Sequence, residues 1–269
     1  MDLRGASADS LAELTAELEK ALAAGSDAER VAGDLFDVAT LLRTEPSVRR
    51  FATDASLPAD YKQTLVRQVL EGKVDEAALA LVVNGAGRRW TGTRDFSDAL
   101  ERLSEIAVVR SVGDKADALA DEIFALGQMV TANPDLRDAL SNPGRSVEDK
   151  SALVDTLLGG KVLPATVALA KQALAGTYHT MTAALENYRQ VAAAVHGESV
   201  ATVHVVRPLG DADRDRLAAA LKAQYGREIH LNEVIDPSVI GGMRVALGDD
   251  VFDATVSSRL DDARRKLVG

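Results

Sequence analysis

The sequence contains no cysteine among its 269 residues. Disulfide bonds, thiolate catalysis and cysteine metal sites are therefore excluded, and a reducing compartment is compatible with the chain. Aromatic residues are also scarce, at 4%, whereas hydrophobic residues make up 46%, much of it alanine, leucine and valine. Such a composition favours packed helices, and the length allows two domains or three small ones.

Long apolar runs are missing as well. The longest compact run, from Ala77 to Val83, is far shorter than the roughly 20 residues that a membrane-spanning helix requires. The first residues, MDLRGASADSLAEL, have no apolar core behind a basic start, so they do not form a secretion signal. We therefore expect any association with a membrane to go through a partner protein.

Positive charge is in deficit, because the formal net charge is −10. Proteins that bind nucleic acids need clustered positive charge to meet the phosphates. The tightest basic pairs outside the tail, Arg49-Arg50 and Arg88-Arg89, are typical of solvated helix ends. We expect no nucleic-acid partner.

The N-terminal part of the chain has helical periodicity. A first helix, with Ser7 or Ser10 as its cap, carries an apolar stripe of Leu11, Leu14, Leu18 and Leu22. Further helices are predicted to begin near Asp27, Pro58, Ala77 and Thr93, and Pro46 starts the short segment that follows the helix from Asp27. The helix after Pro58 bears Tyr61, Leu65, Val69 and Leu70. Such stripes pack by default inside their own bundle, although they can leave a groove for a partner's helix.

The helical part repeats itself. When the chain is shifted by 88 positions, residues 35–81 align without a gap on residues 123–169, and thirteen of these forty-seven residues are identical. The identities include Gly72-Lys73-Val74 against Gly160-Lys161-Val162. A period above 50 residues is not that of a solenoid, so we infer a duplicated helical module. The first helix has no separate copy, and the helix from Thr93 is expected to replace it and to be shared by both bundles.

The pattern changes from about residue 198. Val203 and Val205 alternate with polar residues in a strand, a helix follows from Asp211, and a second strand opens at Ile229. The predicted domains are a helical bundle at 1–110, a second helical module at 111–197 that repeats about 35–110, and a small α/β domain at 198–269. The fold class is α+β, and the last domain is too small for a dinucleotide fold.

The stretch from Val234 to Leu267 combines several unlike signals. Asp236-Pro237 opens a turn and Gly241-Gly242 gives a hinge without Cβ atoms. Two short alternating strands follow, around Val245 and Phe252. The period then becomes helical, with Leu260, Ala263 and Leu267 on one stripe and Arg264 near the end that favours cations.

This order of turn, glycine pair, hairpin and basic helix resembles the end of the delta subunit of F-type ATP synthases, called OSCP in mitochondria. Ala254 departs from the glycine that the family usually has at that point. With its helical module doubled, the chain resembles the longer delta proteins of actinobacteria. The resemblance implies a peripheral (stator) stalk subunit that performs no chemistry, binds no cofactor and resists rotor torque.

The resemblance also implies partners. The N-terminal helical domain of the family holds the N-terminal segment of an alpha subunit, and the C-terminal domain holds the C-terminal region of subunit b. The chain would then lie at the cytoplasmic face of the cell membrane, as a peripheral part of the complex. We expect only one bundle to hold alpha while the other extends or stiffens the stalk. The residues proposed to bind partners are Leu11, Leu14, Leu18, Leu81, Gly241, Gly242, Leu260, Arg264 and Leu267.

Two other functions are compatible with the sequence. Gly72-Lys73 and Gly160-Lys161 suggest a phosphate-binding enzyme, but the earlier glycine, the hydroxyl residue and the preceding strand of a P-loop are absent, so helix ends are the better interpretation. The four histidines share no metal-ligand spacing. An unrelated helical scaffold would also lack catalytic residues, and co-purification with ATPase activity would distinguish it.

Overall fold

The computed structural model describes residues 3–195, 199–225, 229–237, 239, 242–247 and 250–253. The chain forms two compact units, Met1–Tyr188 and Arg189–Gly269. The first unit is helical, and the second contains a four-stranded sheet. The helices come first and the small α/β domain comes last, which is the α+β architecture that the sequence predicts. The proposed boundaries at residues 110 and 197 stay predictions.

The first helical module begins the chain, and local signals define its helices. The Asp27 carboxylate accepts hydrogen bonds from the amides of Glu29 (3.1 Å) and Arg30 (3.2 Å), so it is the N-cap of the helix that the sequence predicts to begin near it. Pro46 opens the third helix, where a missing amide proton costs nothing. The helices are α1 (Ala6–Ala23), α2 (Ala28–Thr44), α3 (Pro46–Thr53), α4 (Ala59–Leu70), α5 (Glu76–Gly87) and α6 (Asp95–Ser111).

The predicted caps of α1 are wrong. Gly5, with φ of +55°, precedes the helix, and Ser7 and Ser10 are buried within it. Ser7 Oγ donates to Asp95 Oδ2 at 2.6 Å, and Ser10 Oγ donates to the carbonyl oxygen of Arg89 at 3.2 Å. Both hydroxyls therefore donate hydrogen bonds to residues distant in the sequence, and these bonds connect α1 to the segment that leads into α6.

The second module repeats the first. Its helices are α7 (Ala116–Ala132), α8 (Pro134–Ser141), α9 (Val147–Leu158), α10 (Pro164–Ala175) and α11 (Met181–Val195). Adding 88 to the bounds of α2, α3, α4 and α5 gives the bounds of α7, α8, α9 and α10. The same shift places α1 at 94–111, within one residue of α6. The sequence repeat is thus a structural repeat, and α6 takes the place of α1 in the second module.

Helix α6 is central to the helical unit. It packs against α1, α2 and α5 of the first module and against α10 of the second. From Phe96 to Val109 its residues are buried, except for Asp98 and Arg102, which are half-buried. A surface helix buries one face only, so burial around the whole circumference shows that α6 is shared by both bundles. Because Glu101 and Glu105 are among the buried residues, polar partners inside the fold must satisfy them.

The second unit is built around one small sheet. Its strands are β1 (Ser199–Val205), β2 (Ile229–Ile235), β3 (Met243–Leu247) and β4 (Asp250–Asp253), and α12 (Asp211–Tyr225) connects β1 to β2. The strand order is β2-β1-β3-β4. Strand β2 is parallel to β1, as a helical crossover requires, whereas β3 is antiparallel to both β1 and β4. The buried core consists of Ala201, Val203, Val205, Leu221, Ile229 and Val245.

Candidate functional site

One candidate site is the outer side of α1 and α5 in the first module, called here the α1/α5 face. Two carboxylates of α1, those of Glu13 and Glu17, both accept hydrogen bonds from the Arg88 guanidinium just beyond α5. Asn84 Nδ2 also donates to Glu17 Oε2 at 2.8 Å. The side chains of Glu13 and Glu17 are 64% and 37% exposed. Ala16 is exposed beside them, so the face offers both charge and room for close approach.

The leucines predicted to bind a partner lie beneath this face. Leu14 and Leu18 are fully buried in α1, Leu81 is buried in α5, and Leu11 is half-buried. In the chain alone, these side chains form the core that holds α1 against its neighbours. Their direct contact with a partner stays a prediction, and the exposed surface above them consists of small and charged residues.

The equivalent face of the second module, formed by α6 and α10, is covered. Helix α2 of the first module lies along it. At one end Ser104 Oγ donates to the carbonyl oxygen of Ala32 at 2.7 Å and accepts from Gln172 Nε2 at 2.8 Å. At the other end Arg43 donates to Glu101 and, at 3.4 Å, to the carbonyl oxygen of Ala175. The chain itself therefore occupies on the second module the surface that is open on the first.

The covered face contains a cluster of buried acids. Glu105 accepts hydrogen bonds from Tyr178 Oη (3.0 Å), Arg102 Nη1 (3.0 Å) and Asn187 Nδ2 (3.1 Å), and its side chain has no exposed surface. Burial raises the pKa of Glu105 to about 7, and nearby Arg102 lowers it only in part.

Burial is the main cause of this shift, and the neighbouring carboxylate of Glu101 adds to it. Burial also raises the pKa of Asp98 and of Glu101, although Arg43 opposes both shifts. Burying carboxylates close to one another favours the uptake of a proton. We therefore expect the stability of this face to depend on pH near neutrality.

A second open surface lies between α2, α3 and α4, and it corrects an expectation. The stripe of α4 was expected to pack inside the bundle, but Tyr61, Leu65 and Val69 are exposed, as are Leu41 and Val48 opposite them. All of them except Tyr61 line an apolar groove of about 370 Å³ that reaches Phe96. The α3 helix is only eight residues long, so α2 and α4 are not bridged over their whole length. The groove is lined by Val38, Leu41, Leu42, Ser47, Val48, Phe51, Ala52, Leu65, Val66, Val69, Leu70, Val82 and Phe96.

The Gly-Lys segments are helix ends, as the sequence indicates. Gly72 and Gly160, each two residues after the end of α4 or α9, have φ of +73° and +70°. The amides of Lys73 and Lys161 donate back to Leu70 and Leu158 at 2.9 and 3.0 Å, so they are not available to a phosphate. Within the described residues, no group of three or more acids and histidines could hold a metal ion.

Comparison with known proteins decides the family. The family model described as ATP synthase delta (OSCP) subunit matches residues 103–267. The chain belongs to this family. A protein named ATP synthase subunit delta from Nocardioides sp. is 49% identical, covering 99% of this chain and 98% of its own. Proteins with the same name from Kineococcus radiotolerans and Thermobifida fusca are 43% and 36% identical, covering 98% and 99% of this chain and 98% and 100% of their own.

The matched range distinguishes the two modules. The OSCP family model begins at Leu103, within α6, and includes the second module and the α/β unit. The delta relatives match from end to end, so they share the long form. The first module up to α5 lies outside the matched range. This module supplies both the open α1/α5 face and the α2 helix that covers the second-module face.

The remaining predicted site residues of the chain belong to the α/β unit. Gly242 is exposed with φ of +83°, which suits the predicted hinge. Gly241, Leu260, Arg264 and Leu267 lie outside the described residues. Val206 and Ile235 are exposed at the neighbouring ends of β1 and β2. No helix in the described part of the chain is both long and apolar enough to cross a membrane.

Several functional residues escaped sequence reasoning. Glu101 and Glu105 look like a solvated helical face, because carboxylates at i and i+4 are common on exposed helices. The available signal was the repeat, which aligns them with Glu13 and Glu17 when 88 is subtracted. Arg43 is the second omission, since nothing in its local sequence shows that it reaches another module.

Replacing Glu105 with Gln should remove a pH dependence of stability. The folded pKa of about 7 exceeds the ordinary 4.5, so the stabilising contribution is complete below about pH 4.5 and is lost as the pH rises through 7. The slope contributed by this residue is at most about 1.4 kcal/mol per pH unit. Urea unfolding between pH 5 and 8 measures it. Glu148→Gln, on the exposed start of α9, is the control, and equal slopes in all three proteins would contradict the assignment.

Two tyrosines of this cluster should respond differently to loss of the hydroxyl. Tyr178→Phe removes a donor to buried Glu105 and should lower the free energy of unfolding by about 1–2 kcal/mol. Tyr188 Oη is buried and finds no partner among the described residues, so Tyr188→Phe should be neutral or stabilising. Chemical denaturation of both variants checks this, and a larger loss for Tyr188→Phe would show that its hydroxyl is satisfied.

Proposed function

We propose that this chain is the delta subunit of the peripheral stalk of an F-type ATP synthase. It joins the catalytic head to subunit b, at the cytoplasmic face of the cell membrane, and performs no chemistry. Family membership supports this role, as do the names of the full-length relatives. The helical unit would bind the N-terminal segment of an alpha subunit, and the α/β unit would bind the C-terminal region of subunit b.

The alpha segment binds the α1/α5 face of the first module. The observation that carries this assignment is the difference between two equivalent faces. Ser104 in the second module is fully buried beneath α2, whereas Ala16 at the equivalent position of the first module is exposed. A helix can therefore lie on α1 and α5 without displacing any part of the chain that the structure describes, and among the described residues the first module alone leaves this face open for alpha.

The second module would stiffen the attachment. A stator must transmit force without bending, and the default between separate domains is relative motion. The two modules are not connected by a linker, because α6 belongs to both. Arg43 of the first module also binds Glu101 and the end of α10. Force applied at the α1/α5 face would thus pass directly through α6 into the second module.

The exposed end of the small sheet supports the subunit b assignment. Val206 and Ile235 extend the paired ends of β1 and β2 and expose about half of their surface. Apolar side chains next to each other on a small domain are typical of a protein interface. The predicted C-terminal helix with Leu260, Arg264 and Leu267 would contribute to the same function.

A bulky residue should separate the two open surfaces of the first module. Ala16→Trp places a large side chain on the α1/α5 face, and it should weaken binding of a synthetic alpha N-terminal segment at least tenfold, or about 1.4 kcal/mol. Val69→Trp adds the same group to the apolar groove and should leave binding unchanged. Calorimetry on the full chain measures both. If Val69→Trp abolished binding and Ala16→Trp did not, the alpha segment would bind in the groove instead.

A further inference from the structure

The covered face of the second module shows how a helix docks on this kind of surface. Helix α2 meets α6 at Ser104 through Ala32 and at Glu101 through Arg43. Because the later residue of α2 meets the earlier residue of α6, the two helices run in opposite directions. A small residue sits where the backbones approach, and three turns later an arginine reaches a carboxylate. These two contacts define a docking pattern within the chain itself.

The same positions exist on the open face. Subtracting 88 converts Glu101 to Glu13, Ser104 to Ala16 and Ala175 to Gly87. Arg43 donates to the side chain of Glu101 and to the carbonyl oxygen of Ala175. The corresponding acceptors on the open face are the carboxylate of Glu13 and the carbonyl oxygen of Gly87. A cation on a docked helix would donate hydrogen bonds to both of these acceptors.

Charge balance favours such a cation. In the free chain, Glu13 and Glu17 share a single guanidinium, that of Arg88, and water solvates the exposed remainder. A helix that covers this face removes the water and leaves two carboxylates with one cation, which is costly. The second module adds Asp98 to its cluster, but the equivalent residue of the first is Ser10. One further cation would therefore balance the open face completely.

We propose that the helix bound on the α1/α5 face carries a basic residue that pairs with Glu13, as Arg43 pairs with Glu101. This inference rests on the proposed function, since it describes the alpha segment that the first module holds. The basic residue follows a small one by about three turns, because Arg43 lies eleven positions after Ala32. Glu13 is then a specificity residue: it selects a helix with a correctly placed cation.

Binding of an alpha N-terminal peptide to the full chain tests this inference. Glu13→Gln removes the charge and keeps the shape, and it should weaken binding about fivefold to tenfold, as expected for a hydrogen bond to a charged group. The loss should be greatest at low salt, so the salt dependence of the dissociation constant should be smaller in the variant. Glu29→Gln, on the exposed first turn of α2, is the matched control and should bind as the wild type does.

The outcomes separate this inference from the function on which it rests. If the wild-type chain does not bind the peptide, the proposed function fails. If it binds and Glu13→Gln behaves like Glu29→Gln at every salt concentration, the pairing with Glu13 is overturned while the function stands. If neutralising one basic residue of the peptide reproduces the effect of Glu13→Gln, and the two changes together add nothing further, the pair is confirmed.

Discussion

The burial of two carboxylates on α6 is the constraint on which the helical unit depends. A helix shared by two bundles has no side that faces water, so Glu101 and Glu105 must be satisfied within the fold. The donors come from both modules: Arg43 lies on α2 of the first, whereas the amide of Thr177 and the hydroxyl of Tyr178 follow α10 of the second. Removing one partner of such a buried pair costs about 3–5 kcal/mol. The carboxylates therefore fix the position of one module against the other.

This constraint has a mechanical consequence. Apolar contacts alone are not directional and allow two packed surfaces to slide. The Arg43 contacts and the bonds of Ser104 to Ala32 and Gln172 have defined geometry, so sliding would break them. For a subunit that must resist torque, buried polar contacts across a shared helix suit the task better than a larger apolar interface. Burial raises the pKa of Glu101 and of Glu105, so we expect the same contacts to depend on pH.

The sequence predicted the architecture because its signals were local and redundant. Apolar stripes and Pro58 indicated the helices, and the 88-residue shift placed α7–α10 on the bounds of α2–α5. It failed where distant residues decide. Ser7 resembles a helix cap in the sequence, but in the structure its hydroxyl bonds to Asp95 at 2.6 Å. The α4 stripe resembles a buried core in the sequence, but it is exposed beside the short α3. The candidate site was predicted only as far as its buried support, Leu14, Leu18 and Leu81.

Duplication of a binding module does not double the number of binding sites when the copies share a helix. Once α6 served both bundles, α2 necessarily lay over the second face, and different residues then suited the two copies. Arg88 of the first corresponds to Gly176 of the second, where a Cβ atom would collide with the Glu101 carboxylate. The position of the Glu101 carboxylate leaves no room for a side chain at Gly176, and Arg43 of α2 supplies the guanidinium instead. On the open face, which no described part of the chain covers, Arg88 pairs with Glu13 and Glu17. The two copies thus show one surface with a helix bound to it and without one.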